Sequence, residues 1–202
     1  MIGVPSYGGR VPSVALEHLK KFHGTKTRTV LVVSYGNRAY DDTLRELAEF
    51  VEKNGFFCIA AIAAVAEHSI MHQFAAGRPD ASDEKELAQF AKKILDKINS
   101  GVIGEKLNVP DSFPYREYHG VPIKPKASVK CTRCGLCANV CPVGAIPRNN
   151  PKKTTENRCI SCMRCIQICP QNARTVNSLM LKIASKKMKA VCTDPKPNEL
   201  FL

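Results

Sequence analysis

The chain has 202 residues, 44% of them hydrophobic and 24% charged, with 13 Pro, 12 Gly and no Trp. That balance suits one mid-sized domain or two small ones and excludes a disordered or collagen-like chain. The net charge of +12 lies wholly in residues 120–202, where 15 basic residues meet three acidic ones (Glu156, Asp194, Glu199), while residues 1–119 hold 15 of each sign; so sharp a step predicts two units with different jobs.

Strands and helices alternate through the first hundred residues. Ile2-Gly3-Val4-Pro5 can end a strand. Val11 to Phe22 carries Val14, Ala15, Leu19 and Phe22 at helical spacing, with Pro12 suited to a first turn. Thr29 to Val33 is a continuous β-branched apolar run, the signature of a buried parallel strand. Asp41 to Asn54 reads as a helix with Leu44, Leu47, Ala48 and Val51 on one face and Gly55 as its stop. Phe56 to Ala66 is the next strand; it is the longest apolar stretch and too short to span a bilayer. Asp83 to Asn99 is the next helix, with Leu87, Phe90, Ala91, Ile94, Leu95 and Ile98 expected inward. Alternation on this scale predicts a parallel sheet covered by helices. The N-terminus lacks a basic start followed by an apolar core, so no signal peptide is expected. Cys58, inside Phe56-Phe57-Cys58-Ile59, reads as an inert buried thiol. His68 and His72 are four apart but have no strong third ligand, and read as loop histidines.

Leu107 to Ser128 holds four Pro and little periodicity, so it reads as an extended linker wrapping the unit that follows. That unit is defined by cysteines. One group is Cys131, Cys134, Cys137 and Cys141, followed by Pro142; the other is Cys159, Cys162, Cys165 and Cys169, followed by Pro170. Both have the spacing C-x2-C-x2-C-x3-C-P, and they repeat at an offset of 28 residues (159 − 131), as an internal duplication would. Three thiolates at x2 steps can wrap one iron–sulfur cube, while the fourth starts a short helix, points away and ligates the cluster of the other repeat. The expected ligand sets are crossed: Cys131, Cys134, Cys137 and Cys169 for one [4Fe–4S] cluster, Cys159, Cys162, Cys165 and Cys141 for the other. Gly135 and Ala138 keep the first loop small, and Pro142 and Pro170 stand where a missing N–H costs least. Disulfides fit poorly, because eight thiols at this spacing without a secretion signal suit a reducing cytosol. Zinc sites use two C-x2-C pairs set well apart, a different pattern. Cys192 has no second ligand nearby and reads as an unligated thiol. Residues 178–190, with Leu179, Leu181, Ile183, Ala184 and Met188 among Lys182, Lys186, Lys187 and Lys189, predict a basic amphipathic helix, and residues 191–202 an extended tail.

Residues 126–179 resemble a two-cluster bacterial-type ferredoxin, and both cysteine motifs match in full. That resemblance implies low-potential one-electron transfer between soluble partners. The strand-end loops Ser6-Tyr7-Gly8-Gly9-Arg10, Ser34 to Tyr40 and Glu67-His68-Ser69 resemble the latter half of a flavodoxin-like domain. With the cysteine motifs and the tail Asn198 to Leu202, the chain resembles the flavodoxin–ferredoxin fusion family. The fold expected is a partial flavodoxin-like three-stranded parallel sheet with helices, followed by a small α+β two-cluster ferredoxin domain. The boundaries expected are 1–106 for the sheet domain, 107–125 for the linker, 126–179 for the ferredoxin domain, and 180–202 for the basic helix and tail. In that family the loops at Tyr7 and at Tyr35 to Tyr40 would flank a flavin ring. The family's first two strands and the Ser/Thr/Gly-rich phosphate loop at a helix N-terminus do not occur in this sequence, which argues against intrinsic FMN binding; ordinary packing is the competing reading of those tyrosines. The first strand present would then be an open edge, inviting a dimer or a separately supplied N-terminal half.

Two cubes bring about −4 and leave the basic region near +8 (12 − 4), a surface suited to steering an acidic redox partner. Nucleic acid is the weaker expectation, since residues 120–202 offer only Phe201 for base stacking; no membrane contact is expected. Three functions are open: a ferredoxin-type electron carrier or electron-transfer module rather than a stand-alone enzyme, an iron–sulfur flavoprotein oxidoreductase using FMN in a completed flavodoxin-like domain, or a non-redox structural or oxygen-sensing iron–sulfur protein. The first is expected, in the cytoplasm.

Overall fold

The computed structural model describes residues 1–101, 106–110 and 114–202. In chain order the elements are β1 Ile2–Pro5, α1 Ser13–Leu19, β2 Thr27–Tyr35, α2 Thr43–Lys53, β3 Phe56–Val65, α3 Ala81–Asn99, β4 Lys126–Ala127, α4 Leu136–Asn139, α5 Arg164–Gln167, β5 Arg174–Thr175, α6 Ser178–Cys192 and β6 Glu199–Phe201. The chain divides into two compact units: Met1–His68, His72–Tyr118 and Val191–Leu202 form the first, and Ser69–Met71 with His119–Ala190 form the second.

The first unit is built on a sheet of order β1-β2-β3-β6. β1, β2 and β3 run parallel, with Val4 beside Val33 and Val33 beside Ala63. Alternation along each strand sorts its side chains to two faces. Leu31, Val33 and Tyr35 of β2 and Ala61, Ala63 and Val65 of β3 pack with Leu44, Leu47 and Val51 of α2 and with Ala15, Leu16 and Leu19 of α1. Val30, Val32, Ala60 and Ile62 face the other way, onto Phe90 and Ile94 of α3. A register shift where Thr29 opposes Cys58 and Val30 opposes Ala60 re-phases β3, which puts Cys58 on the α2 face with Ala61 and Ala63.

The helix ends follow local chemistry. α2 stops at Asn54, and Gly55 takes φ +85°, a conformation open to glycine at little cost. α3 starts in a capping box: the Asp80 carboxylate accepts from the Ser82 and Asp83 N–H groups, and the Asp83 side chain accepts from the Asp80 N–H. Two expectations fail at helix surfaces. α1 ends at Leu19, which leaves Phe22 57% exposed, and α3 presents only Phe90 and Ile94 fully inward, with Leu95 57% exposed and Ala91 on the solvent side. A single helix on a sheet needs only a narrow apolar stripe, so the outer members of a broad one stay wet.

The sheet is not the expected three-stranded parallel one. Residues 199–201 of the tail form β6, which pairs antiparallel with β3 through Ala61 and Phe201, Ile62 and Leu200, and Ala63 and Glu199. The sheet is therefore four-stranded and mixed. Leu200 packs on the α3 face and Phe201 on the α2 face. The tail is fixed by side chains of the strand-end loops. Asn37 donates to the Cys192 and Asp194 carbonyls and accepts from the Lys196 N–H. The Tyr35 hydroxyl donates to the Pro197 carbonyl and Tyr40 to the Glu199 carboxylate. Asn198 accepts from the Val65 N–H and donates to Asp83 and Glu86. Among the described residues β1 is paired on one side only, with β2.

The first half of the predicted linker belongs to the sheet unit rather than wrapping the second. Leu107 and Val109 are buried in the α2-side core, the Tyr115 hydroxyl donates to Glu49, and the Arg116 N–H donates to Asp42. Asp111, Ser112 and Phe113 of that linker, and residues 102–105, lie outside the described residues.

The second unit holds a two-stranded antiparallel pair, β4 with β5, and two one-turn helices, α4 and α5, that pack together. α6 runs on from Ser178, two residues beyond the predicted helix, to the buried Cys192. Its half-buried stripe is Leu181, Ala184, Ser185 and Met188, whereas Leu179 and Ile183 are exposed.

Candidate metal centres

The duplication is legible in the backbone of the second unit. Left-handed conformations fall at Arg133, Gly135 and Gly144, and again 28 residues later at Ser161, Met163 and Asn172. Gly135 and Met163 sit directly before α4 and α5, so each loop turns over and launches a short helix carrying the third cysteine, Cys137 or Cys165. A glycine serves the first loop; the second places a buried Met at the same strained angle.

These loops surround two cavities. One is lined by Cys131, Cys134, Cys137 and Cys169, with Gly135, Pro151, Pro170 and Arg174 among its walls. The other is lined by Cys159, Cys162, Cys165 and Cys141, with Pro125, Pro142, Ile146 and Met163. In each, three thiols come from one loop and the fourth from the other repeat. The thiols line the walls instead of meeting at a point: among the described residues no three Cys, His, Asp or Glu side chains converge as ligands of one metal ion would. The cavities are neighbours, since Cys137 of the first shares one apolar cluster with Cys141 and Cys165 of the second, around Ala138 and Ile146. All eight cysteines are free thiols, in no disulfide.

The polar surroundings repeat as well. The Ala145 N–H donates to Cys141 Sγ at 3.2 Å, and the Ala173 N–H donates to Cys169 Sγ at 3.3 Å. Backbone donors aimed at sulfur favour its charged form. At Cys169 burial raises the pKa, yet the N–H groups of Ala173, Gln171 and Arg174 outweigh it and hold the thiol below its ordinary value. Burial pushes Cys165 up to about 11 against the pull of the Arg174 guanidinium, and it raises Cys162 too. Lys124 donates to the Cys159 carbonyl and the Ser161 hydroxyl, and so holds the second loop from outside.

Residues 123–174 match the family model of the 4Fe-4S dicluster domain. The C-terminal part of this chain is ferredoxin-like and carries 4Fe–4S iron–sulfur chemistry. The match spans the cysteine loops and leaves the sheet unit outside it. No curated protein and no solved structure matches the chain.

Other candidate groups have ordinary settings. Cys58 and Cys192 belong to the sheet unit, both buried; burial pushes the Cys58 thiol up to about 12 and raises Cys192. His72 pairs with Glu67 at 2.5 Å, and His68 stands edge-on to the Phe74 ring with its pKa lowered by burial. Tyr35 and Tyr40 are buried edge-to-face against each other, with their hydroxyls on the chain's own residues 197 and 199. No helix among the described residues is long and apolar enough to cross a membrane.

The cysteine spacing does not single out Arg174. Its signal is the 28-residue offset, which sets it opposite Ile146 (174 − 28).

Proposed function

We propose that the chain binds two [4Fe–4S] clusters through crossed ligand sets, Cys131, Cys134, Cys137 and Cys169 for one and Cys159, Cys162, Cys165 and Cys141 for the other. It works as a low-potential one-electron carrier or electron-transfer module in the cytoplasm. The observation that carries this reading is the pair of cavities, each walled by four free thiols, three from one loop and one from the other. A cube offers four iron corners, one per thiolate, so its ligands stand around a volume rather than at one point, which fits thiols that line walls. Bound clusters would supply reversible one-electron chemistry with no bond made to a substrate.

The chain's own groups do the remaining work. The N–H groups of Ala145 and Ala173 stabilise thiolate charge at Cys141 and Cys169. The apolar cluster of Cys137, Ala138 and Ile146 keeps water from the space between the cavities. Lys and Arg outnumber acidic residues 15 to 3 across residues 120–202, a charge that suits an acidic protein partner. The sheet unit, in this reading, is the latter half of a flavodoxin-like domain; three parallel strands with helices on both faces support that. The test is an anaerobic reductive titration of the purified full chain. Reversible uptake of one electron per cluster supports the carrier; clusters that bleach irreversibly, or that take up no electron, would point to a structural or sensing role.

A further inference from the structure

The four thiols and the prolines after Cys141 and Cys169 correspond between the two cavities at the 28-residue offset, but where both walls are buried one pair sets a cation against a hydrocarbon. Arg174 lines the first cavity and is 1% exposed. Its counterpart Ile146 lines the second and is 4% exposed. A guanidinium is costly to bury unless it is paired and fully hydrogen-bonded. The acceptors of Arg174 are the Thr154 hydroxyl at 2.9 Å, the Pro151 carbonyl at 2.6 Å and the Lys153 carbonyl at 3.3 Å, none of them a carboxylate. Its Nε–H is buried with no acceptor among the described residues. Among the described residues this buried cation thus lacks both an anion and one hydrogen bond, in the wall of a cavity that four thiols also line. Arg174 also pulls on Cys165 of the second cavity, but it lines only the first; the other cations near the second are differently placed, since Arg164 is exposed and Lys124 is half-buried with its ammonium on the Cys159 carbonyl and Ser161 hydroxyl. Exposed charge is screened by solvent; a buried one is not.

We infer that Arg174 sets the reduction potential of the cluster held by Cys131, Cys134, Cys137 and Cys169. The inference rests on the two-cluster reading above. Adding one electron makes a cluster more negative. A fixed positive charge with a spare N–H donor stabilises that state more than a hydrocarbon side chain does. The first cavity is therefore the electron-accepting end of the pair and the Ile146 cavity the electron-donating end. Arg174 is a positioning charge here: the electron comes from an external one-electron reductant, and no bond to the arginine forms or breaks.

The experiment uses the anaerobically loaded full chain, with iron and sulfide counted first, then a dithionite titration followed by electron paramagnetic resonance. Paramagnetically shifted cysteine proton signals assign each step to its cavity. The native chain is expected to reduce in two steps whose equilibria differ at least about tenfold, that is ~59 mV for a one-electron couple, with the Cys131 cavity first. Arg174→Ile, which copies the other repeat, is expected to lower that first step about tenfold or more and to draw the two steps together. Arg174→Lys keeps the charge but loses the Nε–H, and is expected to fall between. Coincident steps in the native chain would overturn the inference, whatever the variants do. So would Arg174→Ile moving neither step, or both equally. A native chain that loads only one cluster would show in the iron count and would overturn the two-cluster reading itself.

Discussion

Asn198→Ala should loosen the sheet unit more than any other single change in the tail. The side chain is 4% exposed and makes three hydrogen bonds: it accepts from the Val65 N–H at 2.9 Å and donates to Asp83 at 2.9 Å and Glu86 at 2.7 Å. Alanine leaves the N–H of Val65, the last residue of β3, unsatisfied, and removes two donations to carboxylates. Asp83 keeps its Arg78 and Asp80 partners, so its loss is partial. A stranded buried donor and lost charge-assisted bonds together come to about 3 kcal/mol. That is a large share of the roughly 5–15 kcal/mol that holds a domain together, and corresponds to a melting shift of about 10 °C. The assay is chemical denaturation of the loaded full chain followed by tyrosine fluorescence, because all five tyrosines (Tyr7, Tyr35, Tyr40, Tyr115, Tyr118) lie in the sheet unit. Asn198→Asp keeps the acceptor for Val65 but sets a third carboxylate against Asp83 and Glu86. It should be no more stable than Asn198→Ala at pH 7 and should recover as the pH falls. A loss under about 0.5 kcal/mol for the alanine variant, or an aspartate variant as stable as the native chain, would refute this account of β6.

Three further outcomes are expected. Cys169→Ala should disturb the cysteine resonances of Cys131, Cys134 and Cys137, and Cys141→Ala those of Cys159, Cys162 and Cys165; disturbance confined to each residue's own loop would contradict the crossed sets. The Arg78 guanidinium holds the Asp83 carboxyl well below the usual carboxylate range. The pair's contribution is therefore present above the unfolded value of about 3.9 and lost as pH falls toward the folded one. Acid denaturation of the sheet unit should accordingly flatten in Asp83→Asn, and an unchanged acid limb would rule the pair out as its cause. Cys58, 1% exposed and pushed up to about 12, should resist iodoacetamide at pH 8 in the native chain and react on unfolding; rapid native labelling would mean that β3 opens readily.

Most of the candidate site can be read from residue order, because ligand spacing is a local property. Two C-x2-C-x2-C-x3-C-P runs at a fixed offset specify the loops, and the left-handed residues follow the same offset. The parallel strands were legible for a similar reason: Thr29–Val33 and Phe56–Ala66 are continuous apolar runs. β6 was not. Three residues carry no periodicity, and what seats the tail is a set of bonds spanning 133 to 162 positions of chain, from Asn198 to Val65 and from Asn37, Tyr35 and Tyr40 to residues 192–199. The same holds for Leu107 and Val109, whose Pro-rich setting reads as linker although both fill the α2-side core. Arg174 looks like one more basic residue in a basic region until its burial is known.

The most direct test of the central claim is the count of iron and acid-labile sulfide in the full chain purified without oxygen. Two cubes require about eight of each per chain, and that is the predicted result. Four or fewer would contradict it, since one of the two thiol-walled cavities would then hold no cluster.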